Sequence, residues 1–115
     1  MRFFDKLFGR KRRDRRVTAR FRVTVAQGES AYWTEDIGVG GMRMSIGKQL
    51  SIGDLTGGGR DVPLSIELDM GPVTVYGDPI WTVRMDDGQL ATGWMFTRFD
   101  DDAEDRLADF IKSID

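Results

Sequence analysis

The sequence predicts a mainly β fold: a six-stranded antiparallel barrel with a C-terminal helix and a short basic arm at the N-terminus. Apolar and polar residues alternate with a period of two in most segments between residues 17 and 99, which is typical of strands with one buried face. Glycine makes up 14 of the 115 residues and lies mainly between these segments, where tight turns need it. The longest apolar stripe with helical spacing lies near the C-terminus, which predicts one terminal helix.

The extended segments follow one another along most of the chain. They cover residues 17–25, 31–37, 42–45, 62–70, 73–76, 80–85 and 90–99. Residues 27–29, 38–41, 71–72 and 86–88 are predicted turns, and residues 47–59 form a long glycine-rich loop. Gly77-Asp78-Pro79 is expected to break the chain before residue 80. Six or so strands joined by glycine turns are typical of a small antiparallel barrel.

The terminal helix is predicted from about Asp102 to Ile114. Its apolar stripe has the spacing i, i+3, i+4 and i+7 and consists of Leu107, Phe110, Ile111 and Ile114. Acidic residues from Asp101 to Asp105 stand at the start, where the helix dipole favours negative charge. These acids therefore have a structural explanation.

Composition excludes several classes of site. The chain has no cysteine and no histidine, which rules out disulfides, thiolate nucleophiles, zinc sites built on those residues and any Ser-His-Asp relay. The aspartates fall in predicted turns or at the helix start, without a second group placed to form an acid–base pair. We therefore expect a binding protein rather than an enzyme, with no metal site and no cofactor.

Residues 1–14 form a basic amphipathic arm ahead of a domain that covers residues 15–115. Residues 1–22 hold ten Lys or Arg and two Asp, a net charge of +8, whereas the whole chain carries −2. The apolar side chains of the arm share one side at helical spacing: Phe3, Phe4, Leu7 and Phe8. Such a segment suits an anionic membrane surface or a groove on a partner protein, or else a helical turn packed on its own barrel. Without a run of about 18 apolar residues to span a membrane, the expected location is the cytoplasm, with peripheral contact at the inner membrane surface through residues 1–13.

A cluster of arginines lies at the entry to the first strand. Arg15 and Arg16 precede it directly, and Arg20 follows four residues after Arg16. Residues an even number apart in an extended chain project from the same face, so Arg16 and Arg20 are expected to share the outer face. Guanidiniums suit phosphate oxygens and stack on purine rings. The same arginines equally suit a solvated face that protects a sheet edge.

A second cluster lies between the second and third extended segments. Asp36 is followed by Gly38, Gly40 and Gly41. A carboxylate there can accept two hydrogen bonds from the Watson-Crick edge of a guanine, and glycines let a ligand or a strand approach the backbone. The same residues also suit an ordinary tight corner.

Together the two clusters resemble the PilZ domain, a family of small six-stranded barrels that bind the bacterial second messenger cyclic di-GMP. Arg16-Val17-Thr18-Ala19-Arg20 fits the family's RxxxR element, with Arg15 as the frequent extra arginine. The run from Asp36 to Gly41 fits the [D/N]xSxxG element at its first and last positions. Gly93-Trp94-Met95-Phe96 and the acidic helix start are similar to the family's barrel ending, so the resemblance covers residues 15–115.

The resemblance implies a ligand and roles for the clusters. Arg15, Arg16 and Arg20 would hold the phosphates of cyclic di-GMP and stack on its guanines, Asp36 would read a guanine edge, and Gly40 and Gly41 would keep the backbone close to the ligand. The implied protein is a cytoplasmic signalling adaptor or receptor. It would change its N-terminal arm or surface when the ligand binds and so regulate a partner protein.

The sequence departs from the motif at Gly38, which stands where the family has serine. Loss of the hydroxyl is expected to weaken binding by up to about tenfold. One alternative is therefore a PilZ-like protein interaction module that has lost nucleotide binding. A third reading, nucleic-acid binding through the basic arm, is disfavoured because the barrel lacks the exposed aromatic pattern of single-strand binders.

Overall fold

The computed structural model describes residues 16–26, 30–48, 53, 56 and 59–114. In chain order these residues form β1 (Arg16–Thr18), β2 (Arg22–Val25), β3 (Ala31–Gly38), β4 (Gly41–Gly47), β5 (Val62–Leu68), β6 (Gly71–Arg84), β7 (Leu90–Phe99) and α1 (Ala103–Ile114). The predicted arm, with Phe3, Phe4, Leu7 and Phe8, and the candidate residue Arg15 lie outside the described residues.

Six strands close into an antiparallel barrel in the order β3-β2-β5-β6-β7-β4, because β4 pairs back onto β3. β1 adds a short seventh strand beside β3. The predicted fold class is confirmed. The inward side chains of each strand meet in one core, whose fully buried members include Val23, Ile37, Met42, Leu64 and Trp94. Side chains at the alternate positions lie on the outer face.

The first predicted strand is interrupted, contrary to the prediction of one strand from Val17 to Val25. β1 and β2 both pair with β3, but Thr18 is opposite Asp36 while Arg22 is opposite Trp33. Three residues of the first segment therefore face two of β3, which is a bulge. The bulge leaves the sequence alternation intact: Val17, Phe21 and Val23 are all buried. The alternation therefore could not reveal it.

The predicted break at Gly77-Asp78-Pro79 is also wrong, because β6 runs through it without interruption. All three residues pair with β7, with bulges on both sides. Pro79 has no N–H to donate, and proline is tolerated where one side of a strand is not paired. The pairing of β5 with β6 ends at Gly77, so Pro79 needs no bond to β5.

The helix α1 closes one end of the barrel. Ala103, Leu107 and Ile111 are buried, and the Phe110 ring meets the Phe21 ring edge-on at 4.9 Å. Ile114, predicted to share this stripe, is 44% exposed because it lies in the last turn.

Arg106 ties α1 to the turn between β5 and β6. Its guanidinium donates hydrogen bonds to the carbonyls of Met70, Gly71 and Pro72, each at 3.2 Å. Within the described part of the chain, no helix is long and apolar enough to span a membrane.

Candidate functional site

Arg16 and Asp36 meet on the outer face of β1 and β3. Antiparallel pairing places Arg16 opposite Gly38 and Thr18 opposite Asp36. The Arg16 Nη1 group donates a hydrogen bond to Asp36 Oδ1 at 3.0 Å. The side chain of Arg16 is 41% exposed and that of Asp36 is 23% exposed. Both groups of this ion pair therefore remain accessible to a ligand from solvent.

The glycines of the second motif lie beside this ion pair, with Gly40 exposed and Gly38 and Gly41 buried. Gly38 lies in β3, and Gly41 begins β4. The Gly40 carbonyl accepts a hydrogen bond from the Phe96 N–H at 2.9 Å, which fixes the corner to β7. A Cβ atom at Gly41 would lie 2.1 Å from the Trp94 carbonyl oxygen and 3.1 Å from Arg16 Nη2. Position 41 therefore has no room for a side chain, and its backbone lies directly beside the Arg16 guanidinium.

Arg20 lies in the bulge between β1 and β2 and points outward. Its guanidinium carbon is 5.1 Å from the centre of the Trp33 ring, within the range of a cation–π interaction. Arg20 and Trp33 line an open cavity of about 300 Å³ together with residues of β4 and Gln89. Arg16 and Arg20 thus share the outer face, as the sequence predicts, but they contact different neighbours on β3.

Arg43 is part of this cluster, although the sequence analysis did not identify it. β4 places Arg43 opposite Asp36, and its Nε lies 3.5 Å from Asp36 Oδ2 and 3.1 Å from Glu35 Oε1. These are ion-pair distances without hydrogen-bond alignment. Glu35 is the extra residue where β3 bulges against β4. Both carboxylates therefore lie against one guanidinium.

Trp81 is a second outer-face residue that the sequence analysis missed. The register across β4, β7 and β6 places Arg43 opposite Gly93 and Gly93 opposite Trp81. A Cβ atom at Gly93 would lie 2.1 Å from Trp81 Cε2, so the indole occupies the space above this glycine. Trp81 is 40% exposed. The face beside Asp36 thus continues through Arg43 to an exposed aromatic surface.

A separate polar cluster fixes the start of β5. Asp61 accepts hydrogen bonds from the Thr97 hydroxyl and from Arg98 Nε, the latter at 2.8 Å. These bonds lower the pKa of Asp61, and the Asp61 carboxylate raises the pKa of Arg98. The Asp61 N–H donates in turn to Asp78 at 2.6 Å. Asp78 and Asp61 thus serve the barrel, and no group of three carboxylates among the described residues is placed to hold a metal ion.

Comparisons with known proteins agree with the barrel fold described above. A family model described as "PilZ domain" matches residues 10–113. The structure of the Bacillus subtilis inhibitor of motility (MotI/DgrA) is similar with a TM-score of 0.72 at 13% identity, covering 86% of this chain and 48% of that chain. This chain therefore spans about half the length of that protein.

A second solved structure is the PilZ domain of CeSA from a cellulose-synthesizing bacterium. It is similar with a TM-score of 0.54 at 18% identity, covering 88% of this chain and 98% of that one. Both likenesses concern the fold. No curated protein sequence matches the chain.

Proposed function

Because the chain belongs to the PilZ domain family, we propose that it is a cyclic di-GMP receptor that passes the signal to a protein partner in the cytoplasm. One observation carries the proposal most directly. Arg16 begins the first motif, Asp36 and Gly41 begin and end the second, and the Arg16 guanidinium lies beside both of them. Barrel construction explains Gly41, whose Cβ would clash with the Trp94 carbonyl, but it requires neither the arginine nor the aspartate beside it.

The arginines have free capacity for an anion. A guanidinium carries five N–H donors, and the Arg16–Asp36 hydrogen bond uses one of them. Arg20 lies over the Trp33 ring, which leaves the edge of its guanidinium open to phosphate oxygens. Arg16 and Arg20 would bind the phosphates of the dinucleotide and offer flat faces to its bases. Arg15 would add a third guanidinium.

Asp36 is suited to read a guanine. An ionised carboxylate has about four lone-pair positions, and Arg16 occupies one of them at Oδ1. The N1–H and N2–H donors of guanine can bind to those that remain. Among the motif's glycines, the exposed Gly40 leaves its backbone open to a planar base. The process is recognition without turnover, in keeping with a family of binding domains.

The second candidate function is a protein interaction module without nucleotide binding. The observation that favours it is Gly38, which lies opposite Arg16 in β3 and supplies no hydroxyl at the position of the motif's serine. In this case the surface around Arg16 would bind a protein directly. Direct titration with cyclic di-GMP separates the two candidates.

The test is a calorimetric titration of the full chain with cyclic di-GMP. Arg16→Ala removes charge-assisted hydrogen bonds of about 1.5–3 kcal/mol, so affinity should fall about ten- to a hundredfold. Arg22→Ala is the matched control, because Arg22 is also an exposed outer-face arginine but pairs with Glu67 at 3.4 Å. Thermal melts establish that both variants are folded.

Three results would count against this assignment. Absence of saturable binding in the unsubstituted chain would favour the interaction module. Equal losses in the Arg16 and Arg22 variants would indicate attraction by net charge alone. Generic DNA binding with a steep salt dependence would favour the nucleic-acid alternative.

A further inference from the structure

Thr34 is a fully buried polar residue that lies directly beneath the bulge carrying Arg20. Its exposed fraction is 0%, and it lies in β3 between Trp33 and the acidic residues Glu35 and Asp36. Neither sequence motif includes it. We propose that Thr34 is a positioning residue for ligand binding: its hydroxyl holds the backbone on both sides of Arg20 and so sets where that guanidinium lies. The proposal rests on the proposed function.

Two of the three hydrogen bonds between Thr34 and the bulge are made by its hydroxyl. The Phe21 N–H donates to Thr34 Oγ1 at 2.8 Å, and Thr34 Oγ1 donates to the Ala19 carbonyl at 2.6 Å. The Thr34 N–H donates to the Phe21 carbonyl at 3.0 Å. Ladder pairing resumes only at Thr18 and Arg22. One side chain thus takes the place of ladder bonds on both sides of Arg20.

Arg20 is the residue whose position follows from this arrangement. It lies between Ala19 and Phe21, the two residues that the Thr34 hydroxyl binds. Its guanidinium is over the ring of Trp33, the residue immediately before Thr34. Arg16 is held independently, because β1 pairs regularly with β3 and Arg16 bonds directly to Asp36. Loss of the Thr34 hydroxyl should therefore move Arg20 and leave Arg16 in place.

Three substitutions separate the hydroxyl from the shape of the side chain. Thr34→Val keeps the shape but can neither donate nor accept, so the Phe21 N–H loses its partner. Thr34→Ser keeps the hydroxyl and loses only a methyl group. Thr34→Cys has a thiol, which is a weak donor and a weak acceptor. Cyclic di-GMP affinity should fall about tenfold in Thr34→Val, less in Thr34→Cys and little in Thr34→Ser.

A double-mutant cycle with Arg20→Ala distinguishes positioning from general loosening of the barrel. If Thr34 acts through Arg20, Thr34→Val should cause no further loss of affinity once Arg20 is alanine. Its effect on the melting temperature should persist in both backgrounds. An equal loss of affinity with and without Arg20 would overturn the proposal, as would unchanged affinity in folded Thr34→Val.

A measurement without ligand keeps this test separate from the proposed function. Removing Arg20 from the Trp33 ring should shift the Trp33 indole N–H resonance in an NMR spectrum of the full chain. Thr34→Val should shift that resonance in the same direction as Arg20→Ala, and Thr34→Ser should not. If Thr34→Val does not fold, Thr34→Cys should show a smaller shift of the same sign. If the Trp33 resonance is unshifted in both Thr34→Val and Thr34→Cys, the placement of Arg20 by Thr34 is refuted, whether or not the chain binds cyclic di-GMP.

Discussion

Gly41→Ala should destabilise the barrel and weaken the candidate site at the same time. The added Cβ would lie 2.1 Å from the Trp94 carbonyl oxygen, so β4 and β7 must move apart, since neither atom belongs to a flexible side chain. Overpacking of this kind costs about 1–3 kcal/mol. The clash is with the backbone, so we expect the upper part of that range and a melting temperature about 10 °C lower.

The site should respond because the same Cβ would lie 3.1 Å from Arg16 Nη2. Displacing this guanidinium disturbs its bond to Asp36, so cyclic di-GMP affinity should fall at a temperature at which the variant is still folded. Differential scanning calorimetry measures the melting temperature, and isothermal titration calorimetry measures the affinity for cyclic di-GMP. Both effects have one cause and should therefore appear together.

Gly59→Ala is the matched control for Gly41→Ala. Among the described residues not adjacent in sequence, the nearest atom to its Cβ is the Thr56 carbonyl oxygen at 3.9 Å. This is an ordinary contact distance, so the melting temperature of Gly59→Ala should equal or slightly exceed that of the unsubstituted chain. If Gly41→Ala has the same melting temperature as Gly59→Ala, the backbones of β4 and β7 do not approach as closely at this corner as described. A lower melting temperature with unchanged affinity would instead show that Arg16 is not required at its observed position.

Two further predictions concern Gly38 and Asp61. The described glycines with positive φ are Gly47, Gly71 and Gly88, so serine can adopt the backbone conformation of Gly38. Gly38→Ser should therefore keep the fold and tighten cyclic di-GMP binding by up to about tenfold. Equal affinity in a stable variant would show that the missing hydroxyl does not affect binding. Hydrogen bonds from Thr97 and Arg98 lower the pKa of Asp61, so this carboxylate stabilises the fold above about pH 4 and loses that effect as the pH falls through its lowered pKa. Asp61→Asn suits the positive φ at this position and should make the melting temperature less sensitive to acid, whereas parallel pH profiles for the two proteins would argue against the assignment.

The sequence predicts strands well where alternation alone decides which face is buried. β3, β5 and β7 agree with the predicted segments to within about two residues. The bulge at Ala19–Phe21 could not be predicted, because burial still alternates through Phe21 and only the pairing with β3 changes. The continuity of β6 through Pro79 was missed for a related reason. Whether a proline breaks a strand depends on whether a neighbour needs its N–H.

Proximity within the site was predictable only over short distances along the chain. The corner at residues 38–41 joins β3 to β4, so Asp36 had to lie near the residues that follow it. Arg43 alternates with the buried Met42 and Met44, and this pattern could have placed it on the outer face opposite Asp36. Trp81 could not be found in this way, because its position depends on the register of four strands and on a bulge at residue 80.

The charges of the candidate site predict that residues outside the strands would contribute to binding of an anionic ligand. Around Asp36 the outer face holds two guanidiniums, Arg16 and Arg43, and two carboxylates, Asp36 and Glu35. This group is neutral as a whole, so it can read hydrogen-bond donors but supplies no net attraction for two phosphates. Arg20 adds one positive charge, and residues 10–15 contain five basic residues and one acidic residue. Arg16 and Asp36 should therefore supply directed hydrogen bonds to the ligand, whereas the net attraction for its phosphates should depend on Arg20 and the basic segment before β1.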